Sequence, residues 1–371
     1  MKRNRHWYWL AVLALLLTAC AADEHKEGVE QLCPITFNVL RNSLVSDTRS
    51  SIIRYNEQMA RQPISLVANI HDDSHTTYFS DILKNSSGEW GTETKYYWLP
   101  KNLDFFAYLP QDDGNIVRSS ETFNKFTYHV PKESSGQNDL MYATAYNRSK
   151  VQNGGEVPLE FKHAFAAISF LARKLNNSMV VIVNGLDICN MKTQGDFLFP
   201  TASTFYEDED REYTDEEINA MTGTWSALTE TGSLSVGIEE TELSREDMQN
   251  ITSDNGILTM IPQELTPWNR VPDPENTDVT MPVKNQDGCY LAIHCKLLYN
   301  GLYLAGSETE FGTIYMPFGG NFEQGNLYVY SLIFGMGYKE DGTEMLKVEI
   351  QLSSTITDWT HEEILFDKNI L

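Results

Sequence analysis

Apolar and polar residues alternate with a period of two in segment after segment of this chain, and that repeat leaves few folds open. Successive side chains of a strand point to opposite faces, so each such segment carries one apolar face to bury against a sheet. Ile35, Phe37 and Val39 alternate with Thr36, Asn38 and Leu40 beside Pro34. Residues 96–99 and 103–109 (LDFFAYL) flank Pro100-Lys101-Asn102 and read as two strands around a tight turn. Segments 126–130 and 140–145 follow, then 159–161, 165–175, 179–188 and 195–199, and later 258–262, 289–299, 313–318, 327–334 and 348–352. Helical character is confined to 215–221 and 244–250. The chain is therefore expected to be all-β, built as two antiparallel β-sandwiches.

Two interruptions organise these runs. Residues 151–158 (VQNGGEVP) break the alternation with Gly154-Gly155 and Pro158, and set the expected boundary between a first domain at 34–152 and a second at 157–371. Inside the second, 200–255 is a polar insertion holding Glu207 to Glu212 and Asp215-Glu216-Glu217. Unpatterned excursions of that length are usually mobile or functional.

The N-terminus states a destination. Lys2, Arg3 and Arg5 precede an apolar run over 7–17, shorter than the roughly 20 residues that cross a bilayer, so 1–19 reads as a secretory signal. Leu17-Thr18-Ala19-Cys20 resembles a bacterial lipobox, which makes Cys20 the expected lipid-bearing first residue of an outer-membrane lipoprotein, with 20–33 as a flexible acidic tether. The rival reading is an ordinary cleaved signal with an incidental Cys. Removing 1–19 takes away three positive charges and no acids, moving the net charge from −24 to −27. Such a surface repels nucleic acid and anionic membrane. Of the remaining cysteines, Cys289 and Cys295 fall on one face of one strand and cannot reach each other within it, so both read as buried thiols. Cys33 and Cys189 stay open as disulfide partners.

The order of short motifs along the chain resembles a known family. It runs through Ile35-Thr36-Phe37, Thr48-Arg49, Tyr97-Trp98, Phe105 to Pro110, Asp139 to Ala143, Phe161 to Ala166, Leu258 to Gln263, Ile314 to Phe318, Gly325 to Tyr330 and Asp358-Trp359. Together these are similar to the fimbrillin-like lipoproteins of Bacteroides and Porphyromonas relatives, which build type V pili. Phe322, where the family often carries Trp, and the 200–255 insertion depart from the pattern.

The resemblance implies two transthyretin-like antiparallel β-sandwich domains in tandem and a structural or adhesive subunit of surface fimbriae. It also implies assembly with other pilin subunits by donor-strand exchange, after an Arg-specific surface protease removes the first strand. Arg49 is the first candidate cut and Arg41 the second; the alternative is that Arg49 is a solvated loop residue and the strand stays. The terminal segment 356–371, with Ile364-Leu365-Phe366 and Ile370-Leu371, is the candidate donor.

Enzymatic signatures are missing: no nucleophile elbow, phosphate loop or dinucleotide fingerprint occurs, and no cofactor is expected. His71-Asp72-Asp73-Ser74-His75 carries metal-capable groups but reads as an exposed turn, and His163 and His294 read as structural or solvent-facing rings within strands. The acids at 207–217 lack the order of a calcium loop and read as a solvated run. Trp98 is expected in a core. Trp90, Trp225 and Trp268 fall in expected loops, where exposed rings would serve the competing function, a surface glycan-binding lipoprotein, or contact with a host protein.

Overall fold

A computed structural model describes residues 32–40 and 61–358, apart from 73, 119–123, 176, 209, 253–256, 269–287 and 339–343. The first strands are β1 (Thr36–Leu40), β2 (Ile64–Ile70), β3 (Thr77–Ser86), β4 (Glu89–Thr92), β5 (Leu103–Leu109), β6 (Ile116–Val117), β7 (Lys125–His129), β8 (Met141–Arg148), β9 (Glu156–Glu160) and β10 (Lys162–His163). Next come β11 (Ala166–Lys174), β12 (Met179–Leu198), the helix α1 (Asp215–Ala220), β13 (Thr224–Glu242), β14 (Gln249–Asn250), β15 (Leu258–Met260) and β16 (Gln263–Leu265). The last are β17 (Tyr290–Tyr299), β18 (Leu302–Ala305), β19 (Gly312–Pro317), β20 (Gly320–Phe322), β21 (Asn326–Tyr338) and β22 (Glu344–Asp358).

The regular structure of the described chain is nearly all β. One eight-stranded sheet runs in the order β10-β8-β5-β2-β3-β4-β1-β9. Because β9 leads directly into β10 at the opposite end of that order, the sheet curls round on itself. Inside it lie Ile64, Leu66, Phe79, Leu83, Phe105, Val157 and Leu159, with Phe37 of β1 and Ile35 just before it. A second sheet, β14-β11-β21-β22 with β15 also on β11, faces a third built on β18-β17-β12-β7-β6 with β13 and β19 added. Ile168, Phe170, Leu327 and Phe334 from the second meet Val181, Leu186, Leu291 and Ile293 from the third in a single larger core. Truncating a ring as enclosed as Phe170 to Ala costs about 3–5 kcal/mol.

Several expectations change. The pairing is not wholly antiparallel: β1 runs parallel to β9, and β11 parallel to β21. Segment 96–99 forms only a bridge, Pro34 to Tyr97, instead of a strand. Residues 244–250 hold bends and the short β14 where a helix was expected, whereas α1 forms and is capped reciprocally by Thr214 and Glu217. Sheet pairing crosses the expected boundary in both directions: β6 and β7 join the third sheet, while β9 and β10 close the first. Gly154 and Gly155, at φ 68° and 87°, make a left-handed turn. The Gly155 carbonyl accepts from Trp98 Nε1 at 3.0 Å, and a Cβ there would come within 3.2 Å of that nitrogen. The Gly pair therefore serves the packing of Trp98.

The polar insertion is also structured. β13 pairs with β12 from Thr224 to Glu242, interrupted by bulges. Upstream, Thr204 and Ser203 hydroxyls accept from the backbone N–H groups of Thr144 and Tyr146, and buried Arg148 pairs with Glu207.

Cys33, Cys189, Cys289 and Cys295 are all free thiols. Burial pushes Cys189 up to about 11 and both Cys289 and Cys295 up to about 12. Burial likewise lifts Tyr142 and Tyr330 to about 12. At pH 8 fewer than about one in a thousand of those three thiols is ionised, and the thiolate is the reactive form. Iodoacetamide is therefore expected to label Cys33 in the folded protein and the other three only after unfolding. These groups ionise near 9 to 10 once unfolded, so their preference for the fold is complete below about pH 9 and is lost as pH rises toward 12. Equal labelling of all four thiols in the folded chain, read by peptide mass spectrometry, would contradict this.

Candidate functional site

β1 is short, alternating and inserted in the middle of a sheet. On one side it runs parallel to β9 through five register pairs, Thr36 with Glu156 to Leu40 with Glu160. On the other it meets β4 at Phe37 and Trp90, and below that point Ile35 N–H donates to the Tyr96 carbonyl at 2.9 Å while Trp98 N–H donates to the Cys33 carbonyl at 2.9 Å. Ile35 and Phe37 are 8% and 5% exposed. The Phe37 ring meets Phe105 edge-on at 5.9 Å. Thr36 and Asn38 face solvent.

Burial of Ile35 and Phe37 contributes about 3–6 kcal/mol. Lifting β1 out would bare the backbone groups of β9 and β4 and an apolar groove along Phe105, Val157 and Leu159. Any extended segment with apolar residues at alternate positions meets both needs. Arg41 and Arg49 fall in 41–60, which like Cys20 lies outside the described residues. Of the candidate donor 356–371, residues 356–358 already belong to β22, where Ile356 is registered with Tyr328; 359–371 lies outside the described residues.

The tryptophans are not the exposed loop rings expected. Trp268 is 3% exposed and packs 6.2 Å from Tyr290. Trp225 belongs to β13, half-buried, with its ring stacked 5.5 Å from Phe165 and Nε1 donating to the Ala164 carbonyl at 2.7 Å. Trp90 sits half-buried on β4, and Trp98 is in the core. Aromatic residues flanked by polar neighbours look like loop platforms in a sequence; Trp225 instead lies on β13 with its exposed neighbours Thr224 and Ser226 turned outward.

The ionisable groups of the other candidate motifs are engaged with one another. His71 Nδ1 lies 2.8 Å from buried Asp104 Oδ1, and Asp72 holds its own turn through Ser74. His163 pairs with Asp139 at 2.9 Å and His294 with Asp187 at 3.1 Å. Arg211 pairs with Glu217, and Asp215, Glu216 and Glu217 occupy the first turn of α1, where the helix dipole favours acids. Among the described residues no group of His, Cys, Asp and Glu is arranged to hold a metal ion, and no helix is long and apolar enough to cross a membrane. The pairing of Arg148 with Glu207 carried no sequence signal, because the two are joined only through the fold.

A family described as fimbrillin-like matches residues 48–359. No curated protein matches the chain. Among solved structures, a fimbrial protein from Bacteroides vulgatus is similar at 13% identity and TM-score 0.56, covering 88% of this chain and 99% of its own. A candidate cell adhesion protein from Bacteroides ovatus is similar at 15% identity and TM-score 0.45, over 89% and 99%. Another, from Parabacteroides distasonis, reaches 11% identity and TM-score 0.48, over 88% and 97%. At such identities the first likeness bears on the fold alone.

Proposed function

The chain belongs to the fimbrillin-like family, and from that premise we propose that it is a surface fimbrial subunit, exported as a lipoprotein through Cys20 and joined to other pilin subunits by donor-strand exchange. In this reading an Arg-specific surface protease cuts after Arg49, or failing that after Arg41, and β1 leaves with the lipid anchor. A donor segment from a neighbouring subunit then takes its place, with 359–371 as the part of the chain best suited to supply it. The role is structural or adhesive, and a host protein or glycan is the expected outer contact.

One observation carries the reading: β1 is a mid-sheet strand whose apolar face fills a core groove while its polar face meets solvent. A strand tied down by a crossing chain or by ion pairs could not be exchanged so simply. The family match supports it too, since it begins at Thr48, beside Arg49 and past the end of β1.

Mass spectrometry of chains recovered from purified surface filaments tests the proposal. Assembled subunits are expected to begin at Ser50, or at Asn42 for the second cut, and to carry no lipid. Filament subunits that retain a lipidated Cys20 and residues 34–40 would defeat strand removal, and an unlipidated Cys20 in cell-bound precursor would defeat the anchor.

A further inference from the structure

On the outer face of the third sheet, β12 carries a bulge. Its register against both neighbours, β13 and β17, shifts between Val183 and Gly185, leaving Asn184 out of both ladders. A bulge re-aims side chains and opens the ladder locally. Here it makes a cleft of about 310 Å³ lined by Asn184, Gly185, Asp187, Ser235, His294 and Phe311, with Glu133 at its rim. That is the lower end of the range for small-molecule sites, roughly 300–1,000 Å³.

The cleft is built, and it is unsatisfied. His294 is fixed at both ring nitrogens, Nε2 at 3.1 Å from Asp187 Oδ2 and Nδ1 at 3.1 Å from Thr313 Oγ1. Gly185 makes room for that ring, since a Cβ there would sit 3.3 Å from His294 Cδ2 and 3.3 Å from the Val236 carbonyl. Ser235 is held by its N–H donating to the Lys132 carbonyl at 2.7 Å, and the residue is only 8% exposed, yet its hydroxyl has no hydrogen-bond partner among the described residues. The buried Oδ1 of Asn184 is likewise unpartnered. Buried polar groups without partners are rare, and two of them belong to residues lining this cleft.

We infer that this cleft binds a neutral sugar residue. Ser235 can both donate and accept, while Asn184 Oδ1, Asp187 and Glu133 accept; vicinal hydroxyls, which also do both, complement that set. An ammonium or guanidinium donates only, and the place for a cation is already taken, because Lys296 Nζ lies 4.8 Å over the Phe311 ring. The inference does not depend on strand exchange, because the cleft lies on another sheet from β1.

Saturation-transfer NMR on the purified, uncut chain tests it, using the methyl glycosides of glucose, galactose, mannose, fucose and N-acetylglucosamine, with Nα-acetyl-lysine methylamide as the cationic probe. At least one glycoside is expected to saturate with a dissociation constant on the order of 1 mM. Ser235→Ala, and separately the rim variant Glu133→Gln, should weaken it about tenfold or more while the thermal midpoint stays. The inference is overturned if no glycoside saturates, if both variants bind as tightly as the parent, or if only the lysine derivative binds. Each result is obtained on monomer and is untouched by whether filaments form.

Discussion

A chain carrying both Arg41→Ala and Arg49→Ala is expected to remain a soluble monomer that keeps residues 34–40 and forms no filaments, while the unmutated chain polymerises after treatment with a trypsin-like protease. The groove along Phe105, Val157 and Leu159 holds one strand. While β1 is tethered, its effective concentration in the groove is in the millimolar range, whereas a donor on another subunit competes at micromolar levels, a disadvantage of about a thousandfold. Cutting abolishes that advantage, and the buried area of Ile35 and Phe37 alone must then hold β1 in place. Size-exclusion chromatography and electron microscopy read the outcome. Filaments of normal length from the double variant would mean that neither bond is the switch, and the chain would be better understood as a tip, an anchor or a lone surface adhesin.

Cys20→Ala is expected to have an equally large effect on location. The cysteine is at once the cleavage signal and the lipid acceptor in the proposed pathway, so one substitution removes both. Labelled palmitate in the protein should fall to background, and the chain should accumulate unprocessed or misplaced, with surface display lost. A single acyl chain adds about 0.8 kcal/mol per buried CH₂, and nothing in the described residues replaces it. Equal palmitate incorporation by the variant would remove the lipoprotein reading.

Strands with one wet face were plain in the sequence. β1, β7 and β17 alternate because one side meets the core and the other water, and they form where the pattern places them. β2 gave no such sign: Ile64 to Asn69 are all buried, so polarity has nothing to alternate with. β13 was hidden for the opposite reason, since half of its described residues are exposed and among them only Leu234, Ser235 and Val236 are buried. Gly154-Gly155 marks a turn that packs under Trp98, and a glycine pair reads the same in a sequence whether it joins domains or closes a corner. The cleft at Asn184 was illegible because a bulge depends on register with two partners distant in sequence.

The curl of the first sheet has a mechanical consequence. β1 is paired on both sides, with β4 and with β9, while the two ends of the sheet order, β9 and β10, follow one another in the chain and are joined through Phe161. Drawing β1 out would open the ring between β4 and β9 alone, because the chain itself still joins β9 to β10. An incoming strand would find its berth already shaped and would bear little of the ordering cost that folding a new edge around it would demand.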